Sequence, residues 1–167
     1  EHGDGRVNIL IFGMGRFGTA MALRLQRRGL EVLGVDFNPV AVRRARELGI
    51  PAEYGDGSDP EFVASLPLEG VDWVVSTVPR HPTGLMHEDS RHTLMQIIRT
   101  HAFRGRIALA SHSQAETEEL QRRGADCVLE PFQDAADRAV ELLCGARENE
   151  RTEIPRIPQE RPSEDPY

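Results

Sequence analysis

The segment that decides the fold reads Val7-Asn8-Ile9-Leu10-Ile11-Phe12, followed by Gly13-Met14-Gly15-Arg16-Phe17-Gly18. The first half is a short apolar run rich in β-branched residues, which predicts a strand buried on both faces. The second half matches G-x-G-x-x-G, and a helical pattern over residues 19–28 follows it and stops at Gly29. A strand, a glycine-rich turn and a helix in this order predict a turn that binds phosphate.

Each glycine of this turn has its own physical reason. Gly13 allows the tight exit from the strand, Gly15 lets the backbone approach a pyrophosphate, and Gly18 lets the helix pack against the strand. The helix start then offers N–H groups and the positive end of its dipole to the phosphates. Arg16 lies at this helix start, where a guanidinium can clamp a terminal phosphate. The alternatives are a tight turn that binds nothing and a solvated Arg16.

The same alternation of strand and helix continues along the chain. Strands are predicted over residues 7–12, 31–35, 52–54, 71–78, 107–110 and 127–129. Helices are predicted over residues 19–28, 39–48, 61–66, 87–101, 114–123 and 134–143. Six such units predict an α/β fold, a Rossmann-like doubly wound parallel six-stranded sheet with helices on both faces. Residues 1–6 are expected to be a linker, 7–146 the folded domain, and the charged, proline-rich 147–167 a disordered tail.

Asp36 ends the second strand, 18 residues after Gly18. A carboxylate at about this distance typically accepts hydrogen bonds from the ribose hydroxyls of a dinucleotide. It would also repel a 2′-phosphate, which disfavours NADP. Arg43 and Arg44 follow on the next helix and could reverse this preference, but we expect both to be solvated. The alternative for Asp36 is a helix N-cap.

Further candidates follow the third and fourth strands, whose carboxyl ends share one edge of a parallel sheet. Asp56 could bind an adenine amino group, or it could only shape an Asp-Gly turn. Ser76 and Thr77 could contact ribose or phosphate, or serve as capping and loop residues. The candidate nucleotide contacts are therefore Gly13, Met14, Gly15, Arg16, Phe17, Gly18, Asp36, Phe37, Asn38, Gly55, Asp56, Gly57, Ser76, Thr77 and Arg80.

The amino-acid composition excludes several kinds of catalytic and binding chemistry. The chain has 167 residues and a net charge of −7, and its 20 basic residues are all arginine. The absence of lysine excludes Schiff-base chemistry and a Walker-type phosphate lysine. An acidic chain is a poor binder of nucleic acid. The two cysteines and six histidines show no metal-ligand spacing, and Ser76 and Ser111 lack a nucleophile-elbow motif. We expect no metal and no catalytic residue, a core position for Cys127 and surface positions for the histidines.

The sequence resembles the RCK domain, also called KTN or Trk-N, of potassium channels and monovalent cation:proton antiporters. The motifs that carry the resemblance are Ile11 to Gly18, Val35-Asp36-Phe37-Asn38-Pro39 and Tyr54-Gly55-Asp56-Gly57-Ser58-Asp59-Pro60. It extends over residues 7–145. It implies a regulatory domain at the cytoplasmic face of the cell membrane that binds NAD(H) or AMP, with ADP and ATP as further candidates. It also implies a homodimer formed through helices late in the fold and a membrane transport domain on the same or a partner chain.

Two function classes therefore compete. The first is an adenine-nucleotide sensor that is not an enzyme and that gates cation transport by dimer rearrangement, because the six units leave no room for a substrate domain. The second is a small NAD-dependent oxidoreductase, with His81 or Ser76 near the nicotinamide. A scaffold that binds only protein is a third reading, and it predicts no nucleotide affinity.

Overall fold

The computed structural model describes residues 5–79 and 89–152, without the side chains of 146–152. Strands and helices alternate along these residues. The strands are β1 (Ile9–Phe12), β2 (Val32–Asp36), β3 (Ala52–Tyr54), β4 (Trp73–Ser76), β5 (Arg106–Ala110) and β6 (Cys127–Leu129). The helices are α1 (Arg16–Arg27), α2 (Pro39–Glu47), α3 (Pro60–Ser65), α4 (Ser90–Thr100), α5 (Gln114–Arg122) and α6 (Pro131–Thr152).

The six strands form one parallel sheet in the order β3-β2-β1-β4-β5-β6. β1 lies near the middle, between β2 on one side and β4 on the other. The chain builds the sheet from β1 through β2 to β3 and then crosses back, so that β4 lies on the other side of β1. The point where the strand order reverses therefore lies between the neighbouring strands β1 and β4. In open α/β sheets ligands bind at this switch point, outside the carboxyl ends of the strands. The predicted Rossmann-like fold is confirmed.

The core lies on both faces of the sheet, and β1 shows why. Ile9 and Ile11 pack into a cluster with Met14, Ala22 and other residues of α1 and α2. The alternate residues of β1, Leu10 and Phe12, pack into a second cluster that includes side chains of α3, α4 and α5. Because successive strand residues point to opposite faces, an unbroken apolar strand needs helices on both sides.

Four of the helices begin with a side-chain cap. The caps are Asn38 for α2, Asp59 for α3, Asp89 for α4 and Ser113 for α5, and each accepts a hydrogen bond from a backbone N–H of the first turn. Helix α1 differs, because its N-cap is Gly15 and has no side chain to accept such a bond. The first turn of α1 thus keeps donors for a partner other than a capping side chain.

Most of the observed bounds differ from the predicted ones, and three of the differences have a clear physical reason. α1 begins at Arg16, three residues before the predicted start, because the glycine motif itself enters the helix. β4 is four residues long rather than eight, since it pairs with the short β1. Residues 147–152, predicted as tail, continue α6, where arginine and glutamate favour helix. The rest of that tail, 153–167, and residues 1–4 of the linker lie outside the described residues.

The described residues fall into two units, one that ends at Pro131 and one that begins at Phe132. The first holds the sheet with α1 to α5, and the second holds nearly all of α6. Within α6, Val140, Leu142 and Leu143 are exposed although they are apolar. None of the helices in the described ranges is sufficiently long and apolar to span a bilayer.

Candidate nucleotide site

A cleft of about 580 Å³ opens at the carboxyl ends of β1, β2, β3 and β4. It lies at the switch point of the sheet. The predicted candidates that line it are Gly13, Gly15, Asp36, Phe37, Asn38, Gly55, Asp56, Gly57, Ser76 and Thr77. The fold thus brings residues from four separate strand ends into one concave surface.

The three glycines of the turn differ in why glycine is needed at each position. A Cβ on Gly13 would stand 2.4 Å from Thr77 Oγ1, and a Cβ on Gly18 would stand 1.9 Å from the Gly13 carbonyl oxygen. Both positions therefore require glycine for the packing of the protein itself, and Gly13 also has a φ of +96°. A Cβ on Gly15 would meet no atom within 4 Å. Since the fold does not need glycine there, the open space beside Gly15 fits a ligand that approaches the backbone closely.

Asp36 joins the end of β2 to the glycine turn. Its Oδ2 accepts a hydrogen bond from the Met14 N–H at 2.7 Å, and its Oδ1 accepts one from the Asn38 N–H at 2.8 Å. A carboxylate has about four acceptor positions, so Asp36 can still accept bonds from ribose hydroxyls. The N-cap of α2 is Asn38, whose Oδ1 accepts from the Val40 N–H at 2.9 Å. Asp36 is therefore not the helix cap that the sequence left open.

Two hydroxyl residues stand at the carboxyl end of β4, Ser76 within the strand and Thr77 directly after it. Thr77 Oγ1 donates to the Gly13 carbonyl oxygen at 2.8 Å and so holds the glycine turn against β4. The side chain of Ser76 is almost entirely buried, with 1% of the residue exposed. Both residues shape the wall of the cleft.

The loop after β3 is held by its own contacts. Asp56 Oδ1 accepts from the backbone N–H and the hydroxyl of Ser58, at 2.8 and 2.7 Å. A Cβ on Gly55 would stand 2.1 Å from the ring of Phe62, so glycine is needed there for packing. This supports the turn interpretation of Asp56, and both of these bonds use the same carboxylate oxygen.

Several predicted contacts are not among the cleft-lining residues. The Met14 side chain is fully buried against Gly34, so Met14 faces the site only through its backbone. Arg16, Phe17 and Gly18 follow it in α1 and do not line the cleft. Arg80 lies outside the described residues.

Sequence reasoning missed lining residues on two helices. Arg44 of α2 and Ser90 and Leu94 of α4 line the cleft. The Nη2 atom of Arg44 lies 3.5 Å from the Met14 carbonyl oxygen, at the edge of the glycine turn. The expectation of a solvated Arg44 was therefore incomplete. The sequence feature that could have indicated this position is the spacing of Arg44 from Ala41. Residues three apart share a helix face, and Ala41 is an apolar residue that is buried in the structure.

A buried ion cluster lies behind the α4 wall of the cleft. Arg91, 1% exposed, donates from Nε and Nη2 to the two carboxylate oxygens of Asp89 at 2.9 and 2.6 Å, and it also pairs with Glu116. Burial would raise the pKa of the Asp89 carboxyl, but hydrogen bonds from Arg91 and its charge outweigh burial and lower that pKa. The cluster fixes the first turn of α4, which carries Ser90.

The histidines differ in their exposure. His92 is buried, contrary to the expected surface position, and its Nε2 has no hydrogen-bond partner among the described residues. Burial lowers the pKa of His92. His101 and His112 are exposed, and His81 and His87 lie outside the described residues. Cys127 is half-buried and packs against the core cluster of α1 and α2.

A larger depression, of about 910 Å³, lies at the opposite edge of the sheet. It is lined by residues at the amino ends of β4 and β5, among them Trp73, Phe103 and Arg106. It holds none of the predicted candidates, and its position at the amino ends is not where such sheets bind nucleotides. In the part of the chain that the structure describes, no three His, Cys, Asp or Glu side chains are grouped to hold a metal ion.

Two related proteins match most of this chain, and a third matches less than half of it. Ktr system potassium uptake protein A of Vibrio alginolyticus is 26% identical over 137 residues, covering 82% of this chain and 59% of that protein. K(+) efflux antiporter 3, chloroplastic, of Arabidopsis thaliana is 28% identical over 149 residues, covering 83% of this chain and 18% of that protein. A dehydrogenase of Mesorhizobium japonicum, acting on 5-formyl-3-hydroxy-2-methylpyridine 4-carboxylate, is 48% identical over 87 residues, covering 44% of this chain and 28% of that protein. The chain thus spans only part of each of these proteins.

Solved structures share the fold. The TrkA-N domain of inner membrane protein ybaL from Escherichia coli has a TM-score of 0.67 at 21% identity, covering 84% of this chain and 98% of that one. The Kef CTD of Shewanella denitrificans in its AMP-bound form has a TM-score of 0.62 at 17% identity, covering 82% and 79%. The GsuK channel bound to NAD has a TM-score of 0.62 at 21% identity, covering 77% and 22%.

At these identities the structural likeness shows the fold alone. The model of the TrkA-N domain family, however, matches residues 9–131, the region of the sheet and the cleft. This match covers more than half of the chain, and it includes the glycine turn and Asp36. The chain therefore belongs to the TrkA-N domain family.

Proposed function

We propose that this domain binds an adenine nucleotide in the cleft and thereby regulates a potassium or monovalent cation transporter. The observation that carries the binding step is the uncapped start of α1 at Gly15, beside open space in the cleft. An uncapped helix start offers N–H donors and partial positive charge to phosphate. Asp36, on the same cleft, offers acceptors for the adenosine ribose.

The names of related proteins support the regulatory part. Two relatives are named for potassium uptake and potassium efflux, and two proteins of the same fold were solved with AMP and with NAD. NAD(H) and AMP are therefore the first ligands to test, followed by ADP and ATP. The transport domain would belong to the same or to a partner chain, with this domain at the cytoplasmic face of the membrane.

Regulation requires two states with different ligand affinity. We propose that these states are two arrangements of a homodimer. The exposed apolar side chains Val140, Leu142 and Leu143 of α6 support this, because such a surface on a helix late in the fold fits a second copy. Nucleotide that binds one arrangement more tightly would shift the population towards it and bias the attached transport domain.

Titration calorimetry with AMP, ADP, ATP, NAD⁺ and NADH tests the binding step. We expect micromolar affinity for one or two of these ligands. The informative variant is Gly15→Ala, because its Cβ would enter the open space that we assign to phosphate and would meet no protein atom within 4 Å. Gly145→Ala is the matched control, since a Cβ there also meets no atom within 4 Å but lies on α6. Loss of binding in both variants, or in neither, would contradict the assignment.

A second candidate, a small NAD-dependent oxidoreductase, is favoured by the 48% identity to a dehydrogenase over 87 residues. It requires an acid/base group beside the nicotinamide, and His81, one of the residues predicted for this role, lies outside the described residues. Steady oxidation of NADH with any small carbonyl substrate, measured by absorbance, would favour this candidate. Binding of AMP as tight as that of NADH, without turnover, would favour the sensor.

A further inference from the structure

The charged side chains of the cleft differ in the hydrogen bonds and ion pairs that they form with the rest of the protein. Among the described residues that line it, the charged ones are Asp36, Arg44 and Asp56. Asp36 accepts a backbone hydrogen bond on each of its two oxygens, and Asp56 is bonded to Ser58. Arg44 has only the long contact of 3.5 Å to the Met14 carbonyl oxygen. Among the described residues, the Arg44 guanidinium of the cleft thus has no ion-pair partner.

The position of Arg44 indicates which part of a nucleotide it would meet. The Met14 N–H bonds to Asp36, and the carbonyl of the same residue faces Arg44. The guanidinium and Asp36 therefore contact the same residue of the glycine turn, and in such sites the carboxylate that ends the second strand binds the ribose. The α1 start, where a pyrophosphate would bind, is served by Gly15. A cation at the ribose end is suited to a phosphate on the ribose itself.

We propose that Arg44 allows this cleft to accept adenine nucleotides that carry a 2′-phosphate, so that NADP(H) binds as well as NAD(H). This inference rests on the proposed nucleotide-binding function. It revises the expectation that Asp36 disfavours NADP. Asp36 alone would repel a 2′-phosphate. An arginine beside it offsets that repulsion, because a guanidinium binds phosphate oxygens through charge-assisted hydrogen bonds.

The arrangement also explains why Arg44 rather than its neighbour matters. Arg43 is exposed on the same helix but does not line the cleft. Arg46 donates from Nε to the Ala52 carbonyl oxygen at 2.8 Å and so is already used in the protein. Of these three arginines, only Arg44 both lines the cleft and has neither an ion pair nor a short hydrogen bond among the described residues.

The test compares two ligands that differ only in the 2′-phosphate: AMP and adenosine 2′,5′-bisphosphate. Their dissociation constants are measured by calorimetry for the unmodified chain, for Arg44→Gln and for the matched control Arg43→Gln. NADH and NADPH serve as a second pair. Thermal unfolding of each variant checks that it is folded, which we expect because both arginines are exposed.

We expect the unmodified chain to bind both members of each pair with affinities within about tenfold of each other. Arg44→Gln should weaken the 2′-phosphorylated member by about tenfold, the size of one charge-assisted hydrogen bond, and change its partner by less than about twofold. Arg43→Gln should change neither. Equal weakening of AMP and the bisphosphate by Arg44→Gln, or no weakening of either, would overturn the assignment.

The failure of this inference can be told from the failure of the proposed function. If the unmodified chain binds AMP but not the bisphosphate, Arg44 does not offset Asp36 and only the inference is overturned. If it binds ADP or ATP but no member of either pair, only the inference is overturned. If it binds none of these nucleotides, the proposed function and the inference are both overturned.

Discussion

Replacing Arg91 with methionine should strongly destabilise the domain without touching the cleft directly. Arg91 is buried; it donates to both oxygens of Asp89 and to the Ala110 carbonyl oxygen, and it forms an ion pair with Glu116. The side chains of Asp89 and Glu116 are only 8% and 10% exposed. Methionine approximates the volume of the arginine stem but leaves two nearly buried carboxylates without their cation.

The magnitude follows from this burial. Removing one partner of a buried ion pair costs about 3–5 kcal/mol, because the remaining charge stays out of water without compensation. The Ala110 carbonyl oxygen would also lose its hydrogen bond from Arg91, which contributes about 1 kcal/mol. Since a domain of this size is typically stable by about 5–15 kcal/mol, we expect Arg91→Met to fold with a loss of at least about 3 kcal/mol.

Urea denaturation followed by circular dichroism measures this loss through the midpoint and slope. The control is Arg123→Met, which removes an exposed pair with Glu119 and should cost less than about 1 kcal/mol. A triple variant, Arg91→Met with Asp89→Asn and Glu116→Gln, removes the buried charges while asparagine keeps the α4 cap. It should recover at least half of the loss. A cost for Arg91→Met no larger than that of the control, or a triple variant no more stable than the single one, would refute the reasoning.

Three further predictions concern pH and packing. Acidification should destabilise the fold through Asp89, whose pKa in the folded protein lies below its ordinary value of 3.8. The contribution of Asp89 to the free energy of unfolding is complete above pH 3.8 and is lost as the pH falls through the folded pKa. Urea midpoints measured across this pH range test the prediction. His92→Leu should flatten the fall of stability as the pH drops below 6.5, because the unfolded histidine gains a proton before the folded one does; an unchanged pH profile of the urea midpoint would contradict this. Gly18→Ala should destabilise the domain by about 1–3 kcal/mol, because the new Cβ would stand 1.9 Å from the Gly13 carbonyl oxygen, and a melting temperature equal to that of the unmodified chain would exclude the clash.

The order and type of the elements could be predicted because their signals are local. Apolar runs, proline at a first helical turn and glycine after a last one act within a few residues. The element bounds were less certain, since pairing with a neighbour decides where a strand stops. β4 shows this: its apolar pattern runs to Val78, but the ladder with β1 ends at Ser76.

The burial of charged and polar side chains could not be predicted in the same way. Arg91 and His92 follow each other at the start of α4, and nothing in their local pattern distinguishes them from solvated residues. Both are buried in the folded domain, and the Arg91 guanidinium is received there by the Ala110 carbonyl oxygen of β5 and by Glu116 of α5. Ala110 and Glu116 are 19 and 25 residues away from Arg91 along the chain, so the local periodicity of the sequence does not indicate these contacts.

For this protein, the sequence by itself determined the alternating α/β pattern, the glycine turn and the carboxylate of Asp36 at the second strand end. Each of these depends on residues that are neighbours in the chain or on a well-known spacing. The tertiary structure alone decided that Arg44 lines the cleft, that Met14 turns into the core and that Arg16 stays outside the lining residues. The physical reason is that the direction of a side chain depends on how its helix is rotated against the sheet, and packing between distant segments sets that rotation.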